Sequence, residues 1–230
     1  LNTDQVSALT TAQVKALTTD QVVALTTDQI GKLTATQVGA LSATQVAAIE
    51  TDDLAAMTAT EVVAFSTAAV ANLTTDQVGA LNTDQVSALT TAQVKALTTA
   101  QVVALNTDQI SQLTATQVGA LSATQVAAIE TDDLAAMTAS EVAAFSTAAV
   151  AKLTTTQVGA LTTDQVSALT TAQVKAFTTA AIVALSSDQV SNLSTSQLAA
   201  MSASQVAAIE TDDFSNLTTG QLSSLSVAQV

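Results

Sequence analysis

The chain has 230 residues, of which 48% are apolar, and a formal net charge of −14, yet it contains no His, Cys, Trp, Tyr or Pro. Its basic side chains are Lys15, Lys32, Lys95, Lys152 and Lys175. This inventory excludes an imidazole base, a thiolate nucleophile, the ordinary zinc and copper ligand sets and the glycine-rich phosphate loops.

No catalytic, cofactor-binding or metal-ligating set is expected, and the chain reads as a non-enzyme. Its negative charge would repel a phosphate backbone or an anionic membrane surface, so neither nucleic acid nor membrane is an expected partner. No stretch approaches the roughly 18 consecutive apolar residues of a spanning helix. The lack of cysteine fits a large secreted protein and a cytosolic one equally.

From Leu1, Leu9, Leu17 and Leu25 to Leu217 and Leu225, every eighth residue is large and apolar. The third octad shows the pattern: Leu17, Thr18, Thr19, Asp20, Gln21, Val22, Val23, Ala24. Thr at the second position and Gln at the fifth form a capping box, which predicts a helix with Thr18 as N-cap and Gln21 as its third residue. Leu17 and Val22 then flank the start as a hydrophobic staple. Acidic residues at the fourth position, such as Asp4, Asp20, Asp28 and Asp76, fall in the first turn, where the helix dipole favours negative charge.

Because the next start signal arrives eight residues later, each helix has room for about a turn and a half. One continuous helix is ruled out, since its leucine stripe would rotate by about 80° per octad. A β-solenoid is the alternative, because Thr and Val favour strands. Against it, Leu and Val five positions apart fall on opposite strand faces, and the corners lack turn-forming residues. The expected fold is all-α, a superhelical solenoid of very short helices, with Leu, Val and Ala inside and Thr, Asp and Gln outside. The Leu and Val of one octad bury too little surface to offset the ordering of eight residues, so octads must fold by stacking.

Further along, the seventh octad departs from the pattern at Glu50, Asp52 and Asp53. Three carboxylates within four residues suggest calcium, but such a site usually needs 6–8 oxygens. The simpler reading is a variant helix start with Thr51 as the cap. Met57 and Phe65 occupy the leucine position and read as core, whereas Glu61 replaces Gln in the capping box.

The whole pattern then restarts. Residues 81–160 open with the same LNTDQVSALTTAQVKALTT as residues 1–80, and residues 161–230 open with LTTDQVSALTTAQVKAF. Glu130, Asp132, Asp133, Met137, Glu141 and Phe145 repeat the first set, and Glu210, Asp212 and Asp213 return in the third. The chain therefore reads as a single array, 1–230, of three superunits amplified in 80-residue blocks, and as a segment of a longer protein.

LTTDQVVAL at Leu17–Leu25 resembles the helix-opening LTPxQVVAI of transcription-activator-like effector repeats. That resemblance implies helix-start geometry alone, because the base-reading loop has no counterpart. Across the full length, LTTAQVKAL at Leu9, LTATQVGAL at Leu33 and LSATQVAAI at Leu41 resemble the LTTxQVxAL tandem regions of very large bacterial surface and secreted proteins, including adhesin-like ones. What this resemblance implies is an extracellular stalk, surface fibre or filament, with neighbouring copies of the repeat as partners. The alternative is a binding module that presents its Thr/Asp surface to a calcium ion, a glycan or ice.

Overall fold

The computed structural model describes residues 1–230 and is helical throughout, with no strand. Twenty-eight short helices, α1 to α28 in chain order, follow the octads one to one. They are four to six residues long, as the spacing of start signals requires.

The capping box forms as read. In α12 (Thr91–Ala96) the Gln93 N–H donates to Thr90 Oγ1 at 3.2 Å, and the Thr90 N–H donates back to Gln93 Oε1 at 2.8 Å. Leu89 and Val94, which flank that start, are both buried. Substituting Ala for Thr90 is expected to cost about 1 kcal/mol, and Ala for the exposed Thr91 less than about 0.5 kcal/mol. Denaturant unfolding of the two variants distinguishes a cap from mere threonine content.

The helices form two compact units, residues 1–120 and 121–230. In unit 1, helix packs on helix at an interval of three octads: α1 (Thr3–Ser7) on α4 (Thr27–Ile30), α4 on α7 (Thr51–Ala56), and α7 on α10 (Thr75–Ala80). Unit 2 repeats this with α21 (Thr163–Ala168) on α24 (Ser187–Ser191) and α24 on α27 (Thr211–Ser215). Side-chain hydrogen bonds also span 28 to 31 residues, so one superhelical turn takes between three and four octads.

Burial shows how the turns depend on one another. The sixth-position valines are buried from the outset, at Val6, Val14 and Val22. The leucines differ: Leu1 is exposed and Leu9, Leu17 and Leu25 are half-buried, whereas Leu33 and Leu41 are buried. At the other end the sixth-position residues lose their cover, with Phe214 half-buried and Leu222 and Val230 exposed, so the sixth position is covered by the turn after it and leucine by the turn before it. That is the physical form of nearest-neighbour cooperativity in a solenoid.

Two expectations about the interior are corrected. Glutamine does not lie outside: Gln85 is fully buried, and Gln37, Gln45, Gln93 and Gln165 are nearly so. Nor do the eighth-position alanines line the core. Ala40, Ala48 and Ala64 are only half-buried, and the buried alanines Ala69, Ala149 and Ala181 instead replace glutamine at the fifth position. The close approach of turns is made at the seventh position, where a Cβ added to Gly39 would sit 3.1 Å from the Ala64 carbonyl oxygen.

Candidate functional site

The most regular chemical feature of the molecule is a ladder of glutamines. Each uses both ends of its amide. Gln85 Oε1 accepts from the Asn82 N–H at 2.8 Å, closing the capping box, while its Nε2 donates to the Leu54 carbonyl at 2.9 Å and the Met57 carbonyl at 2.7 Å. Gln37 reaches Val6, Ser7 and Leu9 in the same way, and Gln165 reaches Leu134, Ala135 and Met137.

The acceptors lie at the C-terminal end of one helix and on the first residue of the next octad. The sixth-position carbonyl already accepts a backbone N–H, as Leu54 does from Met57 at 3.2 Å, whereas the first-position carbonyl lies past the helix end and lacks such a donor. The glutamine therefore starts its own helix and finishes another one turn away. Only the first half of that role could be read from the octad.

The acidic cluster separates by burial. Asp53 is 5% exposed, whereas Glu50 and Asp52 face solvent, and the same holds for Asp133 and Asp213 against their neighbours. No three acidic side chains converge as a metal-holding group. Thr51 is not the cap: it is the first helical residue, and the N-cap is Glu50, whose side chain makes no capping bond. The octad phase, held by buried Ile49 and Leu54, places Glu50 at the second position regardless of its poor capping chemistry.

Met57, Phe65, Met137 and Phe145 are buried as core. Glu61 and Glu141 keep the capping half of the glutamine role, accepting from the Thr58 and Thr138 N–H groups at 2.6 and 2.8 Å.

An acidic stripe escaped the sequence reading. Asp4, Asp28, Asp52 and Asp76 are the second residues of α1, α4, α7 and α10, each packed on the next, and Asp164, Asp188 and Asp212 align likewise on α21, α24 and α27. Their spacing of 24 residues is three octads, a relation visible only once the turn size is known. Beside the stripe, the exposed Val23 and the carboxylates Glu50, Asp52 and Asp76 border a broad, open recess.

Like charges on neighbouring turns repel. Raising NaCl from 0.01 to 1 M shortens the screening length from about 30 to about 3 Å and is expected to raise the melting temperature. A melting temperature that falls with salt would contradict a net repulsive stripe.

The repeat itself matches a known sequence profile, that of the ALTTAQ repeat, over residues 1–35, 46–83, 77–99, 86–123, 126–163, 141–171, 153–179 and 166–203. The chain belongs to the ALTTAQ repeat family. No curated protein matches it significantly. In structural terms, the Leu and Ala of the ALTTAQ signature sit at the octad boundary, its first Thr is the N-cap, and its Gln is the ladder residue, as Ala88, Leu89, Thr90 and Gln93 illustrate. The signature thus corresponds to a helix-start and turn-to-turn linking unit, which an ALTTAQ array repeats along each of its two compact units.

Proposed function

We propose that this ALTTAQ array is a structural, non-enzymatic element of an extracellular bacterial protein, serving as part of a stalk, surface fibre or filament and associating with neighbouring copies of the repeat. The observation that carries this reading is the recurrence of one interface. The same buried Val and Leu and the same glutamine-to-carbonyl bonds join turn after turn, as with Gln77 to Ile49, Gln101 to Leu73 and Gln109 to Leu81. A design of this kind adds length and mechanical continuity with each octad. Its chemistry is spent on internal ties between turns.

Immunogold labelling of intact cells of the source organism, imaged by electron microscopy, tests the proposal. Label along surface fibres or stalks is the expected result. Label reached only after permeabilisation would overturn the extracellular assignment.

The acidic stripe favours a second reading, in which the array is a cation-responsive binding surface. In that case millimolar calcium raises the melting temperature well beyond the effect of NaCl at equal ionic strength. Under the structural reading the two salts act alike, because screening alone is at work.

A further inference from the structure

Within unit 1 the glutamine ladder is interrupted over three consecutive octads. The fifth position is occupied by Asp53, Glu61 and Ala69, between Gln45 and Gln77, which both bond to the turn before them. On either side of the interruption the first-position carbonyl takes its hydrogen bond from the glutamine 28 residues later: Leu9 from Gln37, Leu17 from Gln45, Met57 from Gln85, Phe65 from Gln93.

By the same offset, Asp53, Glu61 and Ala69 stand over the carbonyls of Leu25, Leu33 and Leu41. A carboxylate offers acceptors only, and alanine offers nothing. Three octads are most of one superhelical turn, so nearly a whole turn-to-turn interface lacks its directional ties.

Packing continues across the gap and is even enlarged, since Leu54, Met57 and Phe65 are buried where Val, Leu and Leu stand in the consensus octad. Apolar burial is non-directional. It holds the two turns together without fixing their register, and the carbonyls of the buried residues Leu33 and Leu41 have no glutamine 28 residues later to donate to them. In unit 2 the same Asp, Glu, Ala order returns 80 residues on, at Asp133, Glu141 and Ala149, whereas Ala181 and Asp213 are separated by Gln189, Gln197 and Gln205, each of which bonds to an earlier turn.

We propose that the interface between residues 25–48 and residues 49–72 is a built-in seam, the place where unit 1 opens first when strained by denaturant, heat or load. The inference does not depend on where the protein works. It states where the ladder yields, and an intracellular location would leave it intact.

Hydrogen exchange read by mass spectrometry on the whole chain tests it. Amides of residues 25–72 should exchange at least about tenfold faster than those of residues 73–104, the ratio expected from losing three net hydrogen bonds. The variant combining Asp53→Gln, Glu61→Gln and Ala69→Gln should remove most of that difference while leaving residues 73–104 unchanged. Uniform protection in the parent chain, no slowing in the variant, or equal slowing over residues 25–104 would each overturn the seam. If the variant fails to fold by circular dichroism, the reverse construction decides. Combining Gln85→Ala, Gln93→Ala and Gln101→Ala should create a second fast-exchanging region around residues 57–104, and its failure to appear would overturn the proposal.

Discussion

Replacing Leu134 by Ala is expected to destabilise unit 2 by about 3–4 kcal/mol, the range for a fully buried leucine whose cavity cannot collapse. Leu134 is completely buried in α17 (Thr131–Ala136), and its carbonyl accepts from Gln165 Nε2 at 2.8 Å. Backbone there is tied to the following turn, so the surrounding helices are poorly placed to close over the void. The loss should be local in the first instance, with amide protection falling in α17 and in α20 (Thr155–Ala160), which packs on it. Denaturant unfolding with segment-resolved hydrogen exchange measures both the size and the reach of the effect. A cost below about 1 kcal/mol, typical of surface positions rather than cores, would mean that the sixth-position residue is not a keystone of the turn.

The second large effect is expected from Gln85→Ala, at about 3 kcal/mol. The substitution removes the acceptor for the Asn82 N–H and the donor for the Leu54 and Met57 carbonyls, and a buried polar group left unpaired costs about 1–3 kcal/mol. The comparison that isolates the turn-to-turn bond is Gln13→Ala. Gln13 is exposed, and its Oε1 closes the capping box with the Thr10 N–H at 2.8 Å. That variant should lose only the capping contribution, about 1 kcal/mol or less. Equal effects at the two positions, measured by thermal or denaturant unfolding, would reduce glutamine to a capping residue.

Glutamine also shows how far the sequence could be read. The capping box joins residues three apart, so Thr90 and Gln93 announce a helix start to anyone reading eight residues, and the structure places the helix there. The other end of the same side chain meets a carbonyl 28 residues away. That partner cannot be named until the number of octads per turn is known, and an octad pattern is compatible with several turn sizes. Without the partner, a polar side chain at a helix start reads as solvent-facing, which is why glutamine was expected outside.

The acidic stripe was hidden for the same reason. Asp28 and Asp52 are neighbours only because α4 packs on α7, whereas in sequence they look like independent first-turn acids. Glu50 illustrates a different limit. Cap preference pointed to Thr51, but the phase imposed by Ile49 and Leu54 overrode it, as buried packing overrides local propensity in most helices. Met57 and Phe65 were legible as core because their positions in the octad, rather than their chemistry, decide their burial.

The central claim is that turns are joined through glutamine side-chain amides, and exchange of those amide protons measured by NMR tests it most directly. The account predicts slow exchange at Gln85, Gln93, Gln109, Gln165 and Gln173, whose Nε2 groups donate to carbonyls of an earlier turn. Gln5, Gln13 and Gln21, which are exposed, should exchange at the rate of a free side chain. If all eight exchange alike and fast, the glutamines do not link the turns and the ladder is contradicted.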